Sequence, residues 1–346
     1  MTPTGVVGAG TSSTVRCDLN ESAYPPLPAV TAALREVAPT AHRYPEFRPT
    51  TLRREIAAHL GAPERCVTLG PGATAVIHAI LAEGARHARA AGIAAPRVVT
   101  PAPTFDGFPV IADLLGLVLT PTPLHADGRP DLGALAARIG PDTIAAIVCS
   151  PHNPTGAVIS ADELDAFLAR VRPGVRVILD QAYVEFCPDP PDIAGLLARH
   201  PELVIVRSFS KAYGLAGLRL GYALGRASAI DGIRRHELPF AIGAAAALAA
   251  PIALRAQDEL LRRVRAMRVE RARLAAFLSA IGVETLPSEA NFLYAPGPAG
   301  LELGAVLRGV GIHGKTCGDH GFRLTVADAA TTDHLMAALR FAAACV

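Results

Sequence analysis

Short segments of uninterrupted apolar residues alternate with longer segments of helical periodicity from residue 63 onward. The short segments are rich in β-branched side chains, which is typical of strands buried on both faces of a sheet. We expect strands at 97–100, 117–120, 143–149, 175–179, 203–207 and 218–224, and helices at 73–91, 108–115, 161–171 and 192–199. This order predicts an α/β fold with a mainly parallel sheet covered by helices.

The pattern changes in the last third of the chain. An arginine-rich amphipathic helix is expected at 258–281, followed by strands at 291–295 and 322–326, helices at 301–308 and 331–343, and a loop at 309–321. This order suggests a smaller α+β domain. We therefore expect an N-terminal arm over 1–40 with a mobile start, a large domain over 41–235, and a linker helix with a small C-terminal domain over 236–346.

Composition and charge exclude several classes of protein. The chain of 346 residues has 33 basic and 31 acidic side chains and a pI of about 8.3. A domain that binds nucleic acid by charge usually has a pI above about 9. Hydrophobic residues make up 51% and charged residues 18%, which excludes global disorder. No nucleic-acid partner is expected.

Apolar stretches do not predict a membrane segment. The longest uncharged apolar run, 238–254, contains two prolines and a glycine and is shorter than the about 20 residues of a membrane span. Gly217, Gly221 and Gly225 have the GxxxG spacing of packed membrane helices, but arginines interrupt the segment. We therefore interpret these glycines as positions of close packing. The start has no basic segment followed by a continuous apolar stretch, so no signal peptide is expected.

Cysteine and lysine usage narrows the chemistry. Six cysteines lie far apart without a Cys-x-x-Cys pair, which indicates reduced thiols in a cytoplasm. Only two of the 33 basic side chains are lysines, Lys211 and Lys315. An arginine cannot lose its proton and form an imine, so these two are the only candidates for amine chemistry.

Polar motifs directly follow four expected strands, one near Val67 and those at 143–149, 175–179 and 203–207, where ligands collect in parallel sheets. Gly70–Thr74 (GPGAT) opens a helix and suits a phosphate, although a plain capping turn has the same sequence. The other three motifs are 150–156 (SPHNPTG), 180–183 (DQAY) and 208–219 (SFSKAYGLAGLR). A carboxylate such as Asp180 at the end of a buried strand needs a cation or a donor, and a protonated pyridine nitrogen supplies both.

The joint order of these motifs resembles the fold-type I aminotransferases that use pyridoxal 5′-phosphate (PLP), most closely the histidinol-phosphate aminotransferase branch. The resemblance covers nearly the whole chain through LNESAYPPLP, HRYPEFRPTTLRREIAAHLG, GPGAT, PTFDGF, SPHNPTG, LDQAYVEF, SFSKAYGLAGLRLGY, ANFLYA and FRLTVA. It implies a large domain with a sheet of the seven-stranded type and a smaller C-terminal domain.

The resemblance also implies roles around the cofactor ring. Lys211 is expected to be the Schiff-base lysine that holds PLP as an internal aldimine and then moves a proton. Asp180 is expected to keep the pyridine nitrogen protonated, and Asn153 and Tyr183 to bond the ring O3′. Phe105, where the branch commonly has a tyrosine, is expected to stack on the ring.

The cofactor phosphate is expected at the start of the helix 73–91. Its implied ligands are the amides of Ala73 and Thr74 and the side chains of Ser208, Ser210 and Arg219. Tyr44 corresponds to a tyrosine that reaches the partner subunit's phosphate in this family, which implies a homodimer with shared sites.

For the substrate, Arg323 resembles the carboxylate-binding arginine of the family, whose fork suits a bidentate pair. Asn20, Tyr24 and Asn291 are further expected pocket residues. Lys315 lies in the loop where histidinol-phosphate enzymes tend to carry an arginine for the substrate phosphate, and it could substitute as a cation. Cysteines and histidines in this loop are unevenly spaced, so no metal site is expected.

These features predict a PLP-dependent aminotransferase. It is expected to transfer an amino group between an amino acid, or an amino-alcohol phosphate such as histidinol phosphate, and a 2-oxo acid. The carbanion intermediate of transamination is also used for decarboxylation, oxidation or carbon–carbon bond formation. A PLP enzyme of a biosynthetic pathway with one of these reactions therefore stays open as the first alternative. A non-catalytic PLP-binding protein is the second alternative.

Overall fold

The computed structural model describes residues 15–344, so the expected mobile start over residues 1–14 and the thiol of Cys345 lie outside the described residues. The strands in this range are β1 (Val15–Arg16), β2 (Val67–Gly70), β3 (Arg97–Pro101), β4 (Val118–Thr122), β5 (Thr143–Cys149), β6 (Arg176–Asp180), β7 (Leu203–Ser208), β8 (Gly221–Gly225), β9 (Phe292–Pro296), β10 (Ile312–His313), β11 (Lys315–Thr316) and β12 (Gly321–Thr325).

Helices connect most of these strands. They are α1 (Pro28–Val37), α2 (Thr50–His59), α3 (Ala73–Ala90), α4 (Gly107–Leu114), α5 (Leu132–Ala137), α6 (Ala161–Leu168), α7 (Ile193–Arg199), α8 (Ala227–Arg234), α9 (Ala244–Arg255), α10 (Gln257–Ala280), α11 (Gly297–Gly309) and α12 (Ala329–Ala344). None of the helices within residues 15–344 combines the length and the apolar character that a membrane-spanning segment needs.

A seven-stranded sheet forms the centre of the larger part of the molecule, in the order β2-β8-β7-β6-β5-β3-β4. Its strands are parallel except β8, which is antiparallel to both of its neighbours. Every residue of β5 is buried, because alternate side chains point into a core on either face. Ile147 packs with α3, α4 and α8, whereas Val148 packs with α5, α6 and α7. The expected parallel, doubly covered sheet is confirmed.

A smaller sheet of β11, β12 and β9 follows the long helix α10 and is entirely antiparallel. The N-terminal segment crosses to this part of the chain, since β1 pairs in parallel with β10. Next to that pair, the Thr325 N–H donates to the Cys17 carbonyl oxygen at 2.9 Å. This pairing holds residues 17–21 against the smaller sheet.

The structure differs from the sequence-based expectations in several places. Helices α1, α2, α5, α8 and α9 occupy regions where no helix was expected. The strand expected at 218–224 begins only at Gly221, because a 3₁₀ turn at Ala216–Leu218 and a left-handed Arg219 (φ 52°) precede it. The loop expected at 309–321 contains the two-residue strands β10 and β11.

Candidate active site

A cavity of about 440 Å³ opens at the carboxyl ends of β5, β6 and β7, between the large sheet, the N-terminal segment and β12. The residues expected at the site that line it are Lys211, Ala73, Thr74, Phe105, Asn153, Asp180, Tyr183, Ser208, Ser210, Arg219, Arg323, Asn20 and Lys315. Parallel strands bring several of these residues together, because Phe105 follows β3, Asn153 follows β5, Asp180 ends β6 and Lys211 follows β7 at one edge of the sheet. Asn20, Lys315 and Arg323 reach the cavity from the N-terminal segment and the smaller sheet.

The N-terminus of α3 forms one end of the cavity. The first N–H groups of this 18-residue helix have no partner within the helix, and the capping residue is a glycine without a side chain. A Cβ on Gly72 (φ +86°) would lie 2.3 Å from the Arg219 Nη2, so the guanidinium rests directly against the turn. The Arg219 Nη1 also donates to the Ser210 Oγ at 3.4 Å. Helix dipole, guanidinium and hydroxyl together make an anion-binding cradle.

Lys211 follows β7 and directs its amine into the cavity. The Nζ donates to the Leu19 carbonyl oxygen at 2.8 Å and lies 5.7 Å from the centre of the Tyr183 ring. Burial, with a smaller contribution from the nearby Arg323 guanidinium, lowers the pKa of Lys211 to about 8. A substantial fraction of this amine is therefore neutral near pH 8 and able to act as a nucleophile or a base.

Asp180 ends β6 at the floor of the cavity. One carboxylate oxygen accepts a hydrogen bond from the Ala182 N–H at 2.9 Å, and no side chain among residues 15–344 forms a salt bridge with it. Burial raises the pKa of Asp180 to about 6, although the Lys211 ammonium opposes the shift. A protonated ring nitrogen would provide the cation and the donor that this carboxylate lacks.

Two hydrogen-bonded pairs fix the polar wall beside Lys211. The Asn153 Oδ1 accepts from the Arg323 Nη1 at 2.6 Å, which leaves the Asn153 amide N–H₂ as a donor. The Tyr183 hydroxyl accepts from the Asn20 Nδ2 at 2.9 Å, and burial raises the pKa of Tyr183 to about 12. Both groups therefore offer hydrogen-bond donors to a phenolic oxygen. Phe105 forms the aromatic wall of the cavity.

Arg323 lies on β12 with only 7% of its surface exposed. It donates to Asn153 and to the Asp18 carbonyl oxygen, but its Nε has no partner and no carboxylate among residues 15–344 pairs with it. A buried guanidinium with unused donors beside a cavity is suited to a carboxylate ligand. The antiparallel register places Lys315 directly opposite Arg323, and the Lys315 Nζ lies 2.5 Å from an Asp106 carboxylate oxygen.

Three residues expected at the site do not line this cavity. Asn291 is fully buried behind it, where the Nδ2 donates to the Asn20 carbonyl oxygen at 3.1 Å. Tyr24 packs under the Arg263 guanidinium, 5.6 Å from the ring centre. Tyr44 is 83% exposed and its ring stands 4.8 Å from that of Phe240, outside the cavity of its own chain.

Sequence reasoning missed several lining residues, namely Asp18, Leu19, Glu21, Ile77, Thr104, Asp106, Cys149 and Cys317. The N-terminal ones reach the cavity through the pairing of β1 with β10, two-residue strands that no local pattern signals. Asp106 directly follows Phe105, a residue that was expected at the site, and this adjacency was the signal that could have indicated it. Among residues 15–344, no three histidine, cysteine, aspartate or glutamate side chains group closely enough to hold a metal ion.

The cavity residues fit PLP on observations of this structure. The phosphate end has the cradle at Gly72, which a Cβ would fill, and the ring end has the buried Asp180 without a charged partner. Between them lie an aromatic wall and the amine of Lys211. This fold and site define a PLP-dependent enzyme of the fold-type I class.

Comparison with known proteins gives the family. The family model for aminotransferase class I and II matches residues 15–339. An aromatic amino acid aminotransferase from Cutibacterium acnes is 36% identical over 94% of this chain and 91% of the relative. One from Corynebacterium efficiens is 35% identical over 97% of this chain and 95% of the relative. The chain belongs to the class I and II aminotransferases.

Solved structures agree in fold. The histidinol-phosphate aminotransferase from Sinorhizobium meliloti, in complex with pyridoxal-5′-phosphate, has a TM-score of 0.83 and 29% identity, covering 95% of this chain and 90% of that one. The histidinol-phosphate aminotransferase from Clostridium acetobutylicum has a TM-score of 0.83 at 20% identity, covering 94% and 98%. The expected PLP-transferase fold, the PLP cofactor and transamination between an amino acid and a 2-oxo acid are confirmed, and the alternative PLP reactions are not favoured.

Proposed function

We propose that Lys211 carries the chemistry of transamination in this enzyme. The observation that carries the proposal is the position of its amine, with a pKa of about 8, in one cavity with Asp180 and the N-terminus of α3. PLP bound there supplies an electron-withdrawing ring that stabilises negative charge on the substrate Cα. Lys211 would hold the cofactor through its aldehyde, and its amine would remove the Cα proton of the substrate and return it.

The other cavity residues have supporting roles. Asp180 would keep the ring nitrogen protonated, Asn153 and Tyr183 would donate to the phenolic oxygen, and Phe105 would cover the ring. The expected phosphate ligands are Ala73, Thr74, Ser208, Ser210 and Arg219. Asn20 orients the Tyr183 hydroxyl, and Asn291 supports Asn20 from behind.

We propose an amino acid with an aromatic side chain as the donor substrate. The two relatives above are aromatic amino acid aminotransferases, and the unused donors of Arg323 suit the carboxylate of an amino acid. An amino-alcohol phosphate has no carboxylate for Arg323. It remains the second candidate, because Lys315 brings a cation to the cavity and a solved relative acts on histidinol phosphate.

Two measurements test this function. After borohydride reduction, which converts an imine into a stable amine, the Lys211→Ala variant should lose the absorbance band of covalently held PLP on denaturation and dialysis, whereas Lys315→Ala should keep it. Phenylalanine, tyrosine and histidinol phosphate are then supplied singly to the PLP-loaded protein, and conversion of the cofactor to pyridoxamine phosphate is followed. A band that survives in Lys211→Ala contradicts the lysine assignment. Failure of all three donors contradicts the substrate assignment.

We also propose a homodimer in which Tyr44 reaches the partner's cofactor phosphate. Support comes from an exposed aromatic patch formed by Tyr44, Phe47 and Phe240, of which Phe47 is 54% and Phe240 40% exposed. Phe240 adopts a left-handed backbone (φ 57°), which is uncommon for a bulky residue and is tied by its N–H to the Phe47 carbonyl oxygen at 3.0 Å. Large exposed apolar patches commonly mark interfaces.

Finally, we propose a reducing compartment such as the cytoplasm for this protein. The five cysteines within residues 15–344 are free thiols: Cys17, Cys66, Cys149, Cys187 and Cys317. Disulfides are rare in cytosolic proteins and common in secreted ones, so unpaired thiols support this location. We retain the division into arm, large domain and small domain at residues 40 and 235 as a proposal.

A further inference from the structure

An ion pair between Asp106 and Lys315 stands at the solvent edge of the active-site cavity. The Lys315 Nζ lies 2.5 Å from an Asp106 oxygen, and the two side chains are 40% and 69% exposed. Asp106 precedes α4 in the large part of the molecule, whereas Lys315 lies on β11 of the smaller sheet. Both residues line the cavity, so the pair connects its two walls.

Two cations stand side by side on the smaller sheet. Lys315 and Arg323 are directly opposite in the antiparallel register of β11 and β12, so their side chains leave the same face of the sheet. Arg323 has no carboxylate partner among the described residues, but Lys315 is already paired with Asp106. One cation is therefore free to take an anionic substrate group, and the other is neutralised by the protein itself.

The position of the substrate side chain follows from the proposed function, on which this inference rests. With the substrate amine at Lys211 and its carboxylate at Arg323, the side chain is left with the remaining wall of the cavity. The lining residues that have no other proposed role include Leu19, Glu21, Asp106, Lys315 and Cys317. The cation among them, Lys315, is already paired with Asp106.

We propose that Asp106 is a specificity-determining residue that disfavours substrates with a second anionic group. A distal carboxylate or phosphate would have to displace Asp106 from Lys315 and would then lie close to the displaced carboxylate. An uncharged side chain disturbs neither partner of the ion pair. Rejection by a like charge is a common way to build specificity, because it weakens the wrong substrate without strengthening the right one.

The test compares charge variants of the PLP-loaded protein. Conversion of the cofactor to its amine form is measured with phenylalanine, glutamate and lysine as single donors, in wild type, Asp106→Asn, Lys315→Met and the double variant. Asp106→Asn frees Lys315 and should raise the glutamate-to-phenylalanine ratio of kcat/KM about tenfold. Lys315→Met leaves Asp106 unpaired and should lower that ratio and raise the lysine-to-phenylalanine ratio. The double variant should return both ratios towards wild type.

The matched control is Asp113→Asn. Asp113 is an exposed carboxylate on α4, the helix that Asp106 precedes, and it does not line the cavity. Its removal changes the charge of the protein equally and should leave both ratios within about twofold of wild type, as is usual for surface substitutions. Salt dependence provides a further comparison, since a direct charge effect at this exposed site should weaken at high ionic strength.

A binding measurement separates this inference from the proposed function. Dissociation constants of 3-phenylpropanoate and glutarate, which cannot react, are measured by calorimetry on the same variants. Asp106→Asn should lower the dissociation constant of glutarate by about tenfold relative to that of 3-phenylpropanoate. Ratios that stay within twofold in Asp106→Asn, or that change equally in Asp113→Asn, overturn the role of Asp106. If no donor converts the cofactor while the acid affinities change as expected, the proposed function is overturned instead.

Discussion

Lys211 and Lys315 are the only lysines of the chain, and their surroundings differ sharply. The Lys211 amine is buried against the Leu19 carbonyl oxygen and the Tyr183 ring, which lowers its pKa to about 8. The Lys315 ammonium stands in an exposed ion pair. Burial thus makes the Lys211 amine able to lose its proton, whereas the exposed Lys315 side chain forms an ion pair.

This contrast can be measured within one protein. We expect the acylation of Lys211 by limiting acetic anhydride in the cofactor-free protein to rise with pH and level off above about 8, because the lowered pKa makes the amine neutral there. Arg323→Gln removes the second cause of the shift, so its curve should move to higher pH. Mass spectrometry of both lysine peptides gives the comparison. A Lys211 curve that still rises at pH 10 would contradict the buried, perturbed amine.

Asp180 should lower the free energy of unfolding of the cofactor-free protein at neutral pH. Its folded pKa of about 6 exceeds the ordinary aspartate value of 3.8, so stability is lost as the pH rises through this window, because the ionised form must be buried. Asp180→Asn should therefore unfold at higher urea than wild type at pH 8, with a gain of about 2–3 kcal/mol, and gain about half as much at pH 5. With PLP bound, the order should reverse. An equal gain at both pH values would point to another cause.

A site residue could be predicted from the sequence when a nearby strand end sets its position, and not when contacts distant in sequence set it. Asn153, Asp180 and Lys211 each follow a buried strand, and the end of that strand fixes their position regardless of distant contacts. Tyr24 and Asn291 lie outside regular positions of this kind. Their orientation is set by Arg263 and by the Asn20 backbone, which are far away in sequence, so no local pattern reveals that they face away from the cavity.

At the scale of elements, the start of α3 depends on how closely β8 approaches it. A Cβ on Gly221 would lie 2.3 Å from the Ala73 nitrogen, so only a glycine allows the present contact. A Cβ on Gly225, on the same strand, would lie 3.3 Å from a Val204 methyl group, whereas a Cβ on Gly217 would meet nothing within 4 Å. The interpretation as close-packing glycines therefore applies to Gly221 and Gly225 and is wrong for Gly217.

Gly221→Ala should displace the helix start and with it the amides of Ala73 and Thr74. We expect the dissociation constant for PLP to rise at least about tenfold, because misplacing a preorganised binding group by an ångström is costly. Gly225→Ala is the matched control, since a methyl group can move aside more easily than a backbone. Fluorescence titration of the cofactor-free proteins measures both. Equal losses in the two variants would mean that general destabilisation, not the cradle, is responsible.

Strands were easier to predict than helices in this chain. β5, β6 and β7 are continuous apolar runs because both of their faces are buried, and burial of that kind is visible in sequence. The helices α1 and α2 carry prolines at or before their starts and no side-chain cap, so their signals resemble those of an extended arm. The strands β10 and β11 have two residues each, too few for any periodicity.

At the scale of the whole molecule, the aromatic patch of Tyr44, Phe47 and Phe240 should act as part of a subunit interface. Phe240→Asp should shift sedimentation towards a monomer, because it buries a charge in the proposed interface. Leu114→Asp is the control, since Leu114 is 71% exposed and lies on α4, outside the patch. A wild-type protein that sediments as a monomer at micromolar concentration would contradict the homodimer.

Tyr44 itself gives a finer test of shared sites. Tyr44→Phe keeps the aromatic surface and should leave the dimer intact, but it removes the hydroxyl proposed to contact the partner's phosphate. PLP affinity should then fall by about tenfold, the range of one hydrogen bond to a charged group. The measurement is a PLP titration of cofactor-free protein beside a sedimentation run. Unchanged affinity in a stable dimer would leave Tyr44 outside the neighbouring site.

The sequence by itself determined the parallel sheet and the polar residues after its strands, because burial and strand ends are local properties of a segment. The order of those motifs implied the PLP cofactor through the resemblance to a known family. Tertiary structure decided how the cavity is closed. The Arg323 guanidinium meets the Asp18 carbonyl oxygen and the Asn153 side chain, and Asp106 meets Lys315, across separations that no segment encodes. These contacts exist only because two-residue strands bring the N-terminal segment and the smaller sheet to the edge of the large one. Cofactor chemistry is therefore readable from the sequence, whereas selection of the substrate side chain depends on the assembled fold.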